Sequence, residues 1–195
     1  MLTPENIRRA FGIETVSVPN SLTGRFNIIP VAIAEKAGTM RHMKRRVHLI
    51  CGGGSGEYLM ERLDQGGFEV SCGVLNIGDS DWSKAKALGL QVVQEAPFAP
   101  VGETAIQENR AVIAQAQVVV VLPVPFGFGN ISNLKQAEEA CLAGKQVLLV
   151  CPDRLIEGDF TEGEATKIIG RLRAGKNNVH SMDTTEVLAV LKNLF

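Results

Sequence analysis

The sequence predicts a doubly wound α/β domain, and three observations carry that prediction. From residue 45 onward, short apolar runs typical of buried parallel strands alternate with stretches of helical length and periodicity. Two of these runs lead directly into glycine-rich turns, Gly52–Gly56 and Gly127–Asn130. The chain has 195 residues, 45% of them hydrophobic, which is enough to bury one sizeable core. We therefore predict a Rossmann-like, mainly parallel sheet with helices on both faces, in three α/β/α layers.

Six strand and helix pairs follow one another along this domain. Each predicted strand is a short apolar run, and each predicted helix repeats apolar residues every three or four positions. The strands are predicted at Arg46–Cys51, Glu69–Leu75, Gln91–Gln94, Val118–Leu122, Val147–Cys151 and Asn178–Ser181. The helices are predicted at Ser55–Gln65, Ser80–Leu88, Glu103–Gln115, Ile131–Ala143, Thr161–Ala174 and Thr184–Leu194. In the common strand order 3-2-1-4-5, the first and fourth strands are neighbours and ligands lie at their carboxyl ends.

The first 44 residues do not share this alternation. A helix opens at Thr3, and two extended segments, Glu14–Val18 and Phe26–Ala32, follow with a turn-rich stretch between them. A helix and hairpin of this size cannot bury a core of their own. We therefore predict two parts, an arm with a basic linker over residues 1–44 and the α/β domain over residues 45–195.

Charge is distributed unevenly along the chain, although the formal net charge is only −1. Residues 1–46 contain eight Lys and Arg and three Asp and Glu, whereas residues 47–195 contain twelve and eighteen. The basic run Arg41–Arg46 has no interleaved aromatic residue, so we predict no nucleic-acid partner. We interpret it as a solvated linker, with an acidic partner or lipid headgroups as the alternative. The sequence has no apolar run of membrane-spanning length and no signal peptide, so we expect a cytoplasmic protein.

The two glycine-rich turns predict a site for a nucleotide or another phosphate-bearing small molecule. A glycine turn lets the backbone approach a ligand, and the following helix start offers N–H groups and a partial positive charge to an anion. Neither a GxGxxG nor a GxxxxGK[ST] motif occurs, so we predict no P-loop for Mg-ATP. The candidate ligand-binding residues are Gly52, Gly53, Gly54, Ser55, Gly56, Gly127, Phe128, Gly129 and Asn130.

Polar residues just beyond the strand ends supply further candidates. Asn76, Asp79 and Asp81 follow the second strand, where a side chain in such folds contacts a ribose or base. Asp79 also fits the cap of the next helix, which is the interpretation we favour, and Asn130 has the same two alternatives. His48 lies inside the first strand, so we interpret it as a core or face residue.

No catalytic residue and no metal ligand is predicted. Ser55 lacks the second glycine of a nucleophile elbow, because position 57 is Glu57. Glu57 is better explained by the helix dipole than as a general base. No His, Cys and carboxylate cluster has metal-binding spacing in the sequence, and the four cysteines are interpreted as reduced core residues. A nucleotide is the one cofactor that the pattern suggests.

The N-terminal residues form three matching segments, Leu2–Gly12, Pro19–Arg25 and Ile29–Pro30. They resemble the tail of ATP-binding subunits of ABC importers for iron chelates and cobalamin. Some members carry a Rossmann-like extension whose motifs here read Gly52–Gly56, Gly73–Trp82 and Glu95–Phe98. The resemblance implies the C-terminal part of such a subunit or a gene derived from one. ATPase and permease subunits would be its partners, at the inner face of the membrane. The sequence contains no Walker A, Walker B or LSGGQ motif, so we predict no ATP hydrolysis.

A second resemblance concerns the glycine turn before the predicted helix at Ile131. Pro125–Asn133 is similar to the PGGxGTxxE motif of lysine-decarboxylase-like phosphoribohydrolases and their nucleotide-sensing relatives. Asn130 stands at the threonine position and Asn133 at that of the catalytic glutamate. Because an amide cannot exchange the proton that a glutamate handles, this resemblance implies ligand binding rather than hydrolysis.

Three functions remain as hypotheses at this point. The first is a regulatory accessory domain of an importer ATPase that binds a nucleotide-like ligand. The alternatives are a hydrolase of nucleotide N-glycosidic bonds and a ligand-free dimerisation or docking module. The sequence leaves open whether the chain forms a homodimer, and it does not name the ligand.

Overall fold

A computed structural model describes Asn6, residues 15–19 and 26–30, and the ranges 45–175 and 179–195. The chain divides into two compact units, Met1–Met43 and Lys44–Phe195.

The first unit contains the predicted hairpin. Strand β1 (Thr15–Pro19) pairs antiparallel with β2 (Phe26–Pro30), which confirms the two extended segments. The predicted N-terminal helix lies outside the described residues except for Asn6, which is helical.

The second unit alternates strands and helices as predicted. Its strands are β3 (Arg46–Ile50), β4 (Glu69–Asn76), β5 (Gln91–Glu95), β6 (Val118–Val121), β7 (Phe126–Gly127), β8 (Gln146–Val150), β9 (Asp159–Phe160) and β10 (Val179–Met182). Its helices are α1 (Glu57–Gln65), α2 (Ser80–Ala87), α3 (Glu103–Gln115), α4 (Ile131–Leu142), α5 (Pro152–Glu157), α6 (Glu164–Ala174) and α7 (Val187–Leu194).

Six strands form one parallel sheet in the order β10-β8-β6-β3-β4-β5. Numbered along the chain, these strands read 3-2-1-4-5 with a sixth strand outside, so the strand order and the fold class are confirmed. The order reverses between β3 and β6, where Ile50 is in register with Val121. The N–H of Leu122 donates to the carbonyl of Ile50 at 2.9 Å, which continues the pairing to the ends of both strands. Both glycine-rich turns therefore leave the same edge of the sheet.

Side-chain alternation in the strands builds a helical layer on each face. Val47 and Leu49 point to the face covered by α1, α2 and α7. Ile50 belongs to the opposite face, which packs against α4 and α6, and Val74 and Val93 pack against α3 on that side. Leu49 and Ile50 are fully buried, and burying a side chain of this size contributes about 1.5–3 kcal/mol.

The sequence did not predict three short elements at the carboxyl edge. Strands β7 and β9 are two residues each and pair in parallel with one another. Helix α5 starts at Pro152, after Cys151 adopts a left-handed φ of 46°. Elements this short depend on tertiary contacts more than on local sequence.

Helix α6 starts at Glu164 rather than at the predicted Thr161. The carboxylate of Asp159 accepts hydrogen bonds from the N–H groups of Thr161 at 2.8 Å and Thr166 at 2.9 Å. These bonds hold the chain in a turn before the helix begins.

In the part of the chain that the structure describes, no helix is long and apolar enough to cross a bilayer.

Candidate functional site

The structure brings the two predicted glycine loops together. The first, Gly52–Gly56, connects β3 to α1, and the second, residues 127–130, connects β7 to α4. A Cβ added at Gly52 would lie 3.2 Å from a methyl group of Val124, so the segment before the second loop packs against the first loop. The first loop is closed by Ser55, whose N–H donates to the carbonyl of Gly52 at 3.2 Å.

Carboxylates of the loop between β4 and α2 and of the first turn of α2 accept hydrogen bonds from two of the five N–H groups of the first loop. The N–H of Gly53 donates to Asp79 at 2.9 Å, and the N–H of Gly56 donates to both oxygens of Asp81 at 3.1 Å. Gly54 has a φ of +84°, and its N–H finds no acceptor among the described residues. One N–H in the middle of this loop is therefore open to a ligand.

Asp79 caps helix α2, as we favoured from the sequence. One carboxylate oxygen accepts from the N–H of Asp81 at 2.8 Å, and the other holds Gly53. The interpretation as a cap is confirmed, and the carboxylate also ties the first glycine loop to α2. Any contact of Asp79 with a ribose remains a prediction.

Asp81, which we also considered as a ribose contact, is turned inward instead of toward a ligand. It is fully buried beneath the first loop, and burial raises the pKa of its carboxyl group. The hydrogen bond from Gly56 lowers that pKa, while the charge of Asp79 raises it further. A hydrogen bond with Cys72, burial and the nearby Asp81 raise the pKa of the Cys51 thiol. Asp81 follows the cap residue Asp79 by two positions, and from there its carboxylate reaches the N–H of Gly56 in the first glycine loop. The sequence indicated its position but not its burial.

The second glycine loop is closed by its own asparagine. The side-chain oxygen of Asn130 accepts from the N–H of Gly127 at 2.8 Å, and its amide donates to the carbonyl of Pro125 at 3.0 Å. The side chain of Asn130 does not cap α4. Among the described residues, the N–H groups of Phe128 and Gly129 have no acceptor. Both loops together thus leave three N–H groups open at one edge.

Asn133, which stands where the resemblance places a catalytic glutamate, is turned into the core. It is 3% exposed, accepts from the N–H of Val74 at 2.9 Å and donates to the carbonyl of Val74 at 3.0 Å. The pairing of β4 with β5 shifts register between Cys72 and Leu75, and the amide of Asn133 bonds to the backbone inside this irregular stretch. The role of Asn133 in this geometry is structural.

Asn76 braces the loop that follows β5. Its side-chain N–H₂ group donates to the carbonyls of Ala96 at 2.6 Å and Ala99 at 2.9 Å. Its side-chain oxygen accepts no hydrogen bond from the described residues. The predicted contact of Asn76 with a ribose or base can therefore be made by the oxygen alone.

His48 is a core residue, as its place in the first strand indicated. It is fully buried, and its Nδ1 lies 3.0 Å from the hydroxyl of Ser71. Burial lowers the pKa of His48 to about 4, so the imidazole is neutral near pH 7. Its Nε2 has no partner among the described residues.

The carboxyl edge of the sheet is strongly acidic. Six described segments form this edge, at residues 51–58, 76–82, 95–103, 122–131, 151–165 and 182–187. Within them Arg154 is the one basic residue, and segment 122–131 has no charged residue. The carboxylates in these segments are Glu57, Asp79, Asp81, Glu95, Glu103, Asp153, Glu157, Asp159, Glu162, Glu164, Asp183 and Glu186. The edge therefore favours hydroxyl donors and cations, except at the second glycine loop.

Three cavities in the described residues lie away from this edge. A groove of about 360 Å³ between α4 and α6 is lined by Cys141 and Leu142, and one of about 200 Å³ lies between α3 and α4. A polar cavity of about 90 Å³ adjoins Arg46, Glu69 and Ser71. No group of three or more His, Cys, Asp or Glu side chains in the described ranges is arranged to hold a metal ion.

Comparison with known proteins identifies the family. A sequence model of the MJ0874 family matches residues 70–188, which is more than half of the chain. The chain belongs to the MJ0874 family. The MJ0874 match includes Asp79, Asp81 and the second glycine loop, and it starts after the first loop.

Curated relatives of this MJ0874-family chain include an importer subunit. The Cobalamin import ATP-binding protein BtuD of Halobacterium salinarum, from two strains, is 32% identical over 122 residues. This alignment covers 62% of the chain and 30% of the relative, so the chain spans under a third of that protein's length. A solved structure, Streptococcus suis SuiB bound to S-adenosylmethionine, is 9% identical with a TM-score of 0.22. The overlap covers 72% of this chain and 47% of SuiB, and a likeness this weak carries no argument.

Proposed function

We propose that this chain is a regulatory accessory domain of an ABC importer ATP-binding subunit of the cobalamin or iron-chelate type. The 32% identity to a cobalamin import ATP-binding protein over 122 residues supports the assignment. The residues of the arm that resemble the tail of such ATPases also support it. In a complete transporter the ATPase and permease subunits are its partners. Because the sequence contains no ATPase motifs, its contribution to transport is regulation rather than hydrolysis.

The ligand of this domain is a nucleotide or another phosphate-bearing molecule, bound between the two glycine loops. The observation that carries this proposal is that the loops meet where the strand order reverses and leave the N–H groups of Gly54, Phe128 and Gly129 open. The phosphate belongs at the second loop, because segment 122–131 contains no carboxylate. Hydroxyl groups of a sugar belong nearer Asp79 and the side-chain oxygen of Asn76, which are acceptors.

The hydrolase alternative is weakened by the position of Asn133. Both polar groups of its amide bond to Val74, so nothing at that position is free to move a proton. Regulation requires that the ligand binds two conformations of the subunit unequally.

Thermal unfolding of the full chain with a panel of ligands tests the proposal. The panel contains nucleotides, cyclic dinucleotides, sugar phosphates and cobalamin. A ligand at 100 times its dissociation constant stabilises the folded state by about 2.7 kcal/mol, which raises the midpoint by several degrees. We expect a selective rise for one phosphate-bearing class.

Gly129→Val is the variant that links such a rise to the loops. A Cβ at Gly129 would meet Pro100 at 3.7 Å, an ordinary contact, so the side chain is tolerated by the fold but obstructs a ligand. Gly54 is unsuitable because its φ of +84° strains any other residue. Gly170→Ala on α6, where a Cβ meets nothing within 4 Å, is the matched control.

The proposal fails if no ligand shifts the midpoint, or if Gly129→Val responds like Gly170→Ala. Release of free base from nucleoside monophosphates would favour the hydrolase.

A further inference from the structure

Three phenylalanines at the carboxyl edge are exposed to an extent unusual for a folded domain. Phe98 is 101% exposed, Phe128 66% and Phe160 67%, whereas Phe126 in the same region is fully buried. Single exposed apolar residues are common, but several on adjoining loops mark an interaction surface. We call the surface formed by Phe98, Phe128 and Phe160, together with the exposed carboxylates Glu157 and Glu162, the aromatic-acidic face.

The loops that carry these rings adjoin one another. The N–H of Val101 donates to the carbonyl of Gly129 at 2.8 Å, which joins the loop of Phe98 to that of Phe128. Strand β7 pairs with β9 so that Gly127 is in register with Phe160. Phe128 follows Gly127 directly, so the three rings are carried by adjoining segments at the same edge.

Phe98 is held in the solvent by a braced loop. Its φ of 59° is in the left-handed region, which is unfavourable for a bulky side chain by about 1–3 kcal/mol. Asn76 fixes this loop from one side, and Glu95 accepts hydrogen bonds from the N–H groups of Ala96 at 2.9 Å and Gly102 at 3.0 Å. These backbone hydrogen bonds lower the pKa of Glu95, so its carboxylate stays ionised and keeps accepting them. These hydrogen bonds stabilise a loop conformation in which the side chain of Phe98 projects into solvent.

The segments that carry Phe98 and Phe160 are acidic, whereas the loop of Phe128 is uncharged. Segments 95–103 and 157–164 contain no Lys or Arg. Of their carboxylates, Glu164 is paired with Lys135 at 2.7 Å. Asp159 accepts hydrogen bonds from neighbouring threonines. Glu157 and Glu162 are exposed. The aromatic-acidic face therefore combines apolar anchors with an excess of negative charge.

We propose that the aromatic-acidic face docks a basic segment of a partner protein in which Lys or Arg alternates with apolar residues. Charge complementarity selects this occupant. Apolar side chains pack on the phenyl rings, while cations interact with the ring faces and the carboxylates. The carboxylates near Phe98 and Phe160 repel anionic lipid headgroups, so these two rings suit a protein segment rather than a membrane. This inference rests on side chains and holds whether or not the glycine loops bind a ligand.

Fluorescence anisotropy of labelled peptides with the full chain tests this proposal. The probe is a synthetic peptide of alternating Lys and Leu, with a Glu-for-Lys peptide and a Ser-for-Leu peptide as comparisons. We expect binding of the Lys–Leu peptide alone, weakening as NaCl is raised from about 0.05 to 0.5 M because salt screens the charges. F98S/F160S should weaken binding by about tenfold or more, as loss of two exposed anchors does. Neither substitution touches the open N–H groups of the glycine loops, so ligand-induced stabilisation should persist.

Two matched controls separate this face from the rest of the surface. Leu142→Ser removes a residue that is 83% exposed on α4, beside the apolar groove, and should leave peptide binding unchanged. E157Q/E162Q should weaken binding by about threefold per charge, whereas E108Q on exposed α3 should not. The proposal is overturned if the acidic peptide binds equally well, if F98S/F160S binds like the parent chain, if L142S causes the loss, or if anionic phosphatidylglycerol vesicles bind instead.

Discussion

Buried side-chain amides form hydrogen bonds inside this domain, and one of them, Asn133, pairs backbone groups that a regular sheet would pair by itself. Asn133 bonds to both backbone groups of Val74. On the same side of the sheet, Asn109 donates to Gln136 at 2.5 Å, and Gln136 donates to the carbonyl of Ile106 at 2.7 Å. Unsatisfied buried polar groups cost about 1–3 kcal/mol each, so these amides constrain which residues the positions accept.

Asn133→Glu tests whether position 133 is structural or a lost catalytic position. The structure predicts destabilisation by about 3 kcal/mol or more, because a buried carboxylate replaces a neutral amide and the carbonyl of Val74 loses its donor. Urea unfolding of the full chain measures the change, with Asn193→Glu on exposed α7 as the control. A stable variant that releases base from nucleoside monophosphates would contradict the structural role.

At the element scale, helix α6 depends on one carboxylate. Asp159 accepts from the hydroxyls and N–H groups of both Thr161 and Thr166. Burial alone would raise the pKa of Asp159, but these hydrogen bonds outweigh it and hold that pKa well below its usual value. The same carboxylate positions β9, so it fixes the strand that carries Phe160 and the start of the helix behind it.

Asp159→Ala should destabilise the domain by about 1–2 kcal/mol at neutral pH, the usual effect of losing a helix cap. Because the folded pKa is depressed, this stability is present above the unfolded pKa near 3.9 and is lost as the pH falls through the folded pKa. The difference in unfolding free energy between parent and variant should therefore shrink in acid. Urea titrations across pH measure it, with exposed Glu157→Ala as the control. A difference that stays constant down to low pH would refute the linkage.

Strands and helices were predictable from the sequence because apolar runs of strand or helix length are bounded by glycines in this domain. The six strands of the sheet followed from that pattern, and their order is the one that is common in such folds, with the sixth strand outside. Helix α5 and strands β7 and β9 did not, because their stability comes from pairing between distant segments. The candidate site was predictable in place but not in detail. The glycine loops and the cap at Asp79 were visible, whereas the burial of Asp81 and the exposure of Phe98 exist only after folding.

On the scale of the whole molecule, residues 44–195 contain a complete sheet with both helical layers. The compact unit Lys44–Phe195 holds all the core residues described for the α/β fold. We expect a fragment of residues 44–195 to unfold in one cooperative transition, since small domains with a single sheet usually do. Circular dichroism on heating and a dispersed amide NMR spectrum would establish this. Gradual melting or a collapsed spectrum would show that the arm is needed for folding.

The sheet's acidic edge also bears on how this domain meets other molecules. Basic residues lie in the last turns of several helices that run back from that edge, among them Arg62, Lys86, Arg171 and Lys192. Separation of the two signs along the strand direction gives the domain a permanent electric dipole. An approaching charged partner exerts a torque on that dipole and turns the domain before any side chains touch. Encounters are thereby biased toward one orientation, with the phenylalanines leading toward a positively charged surface.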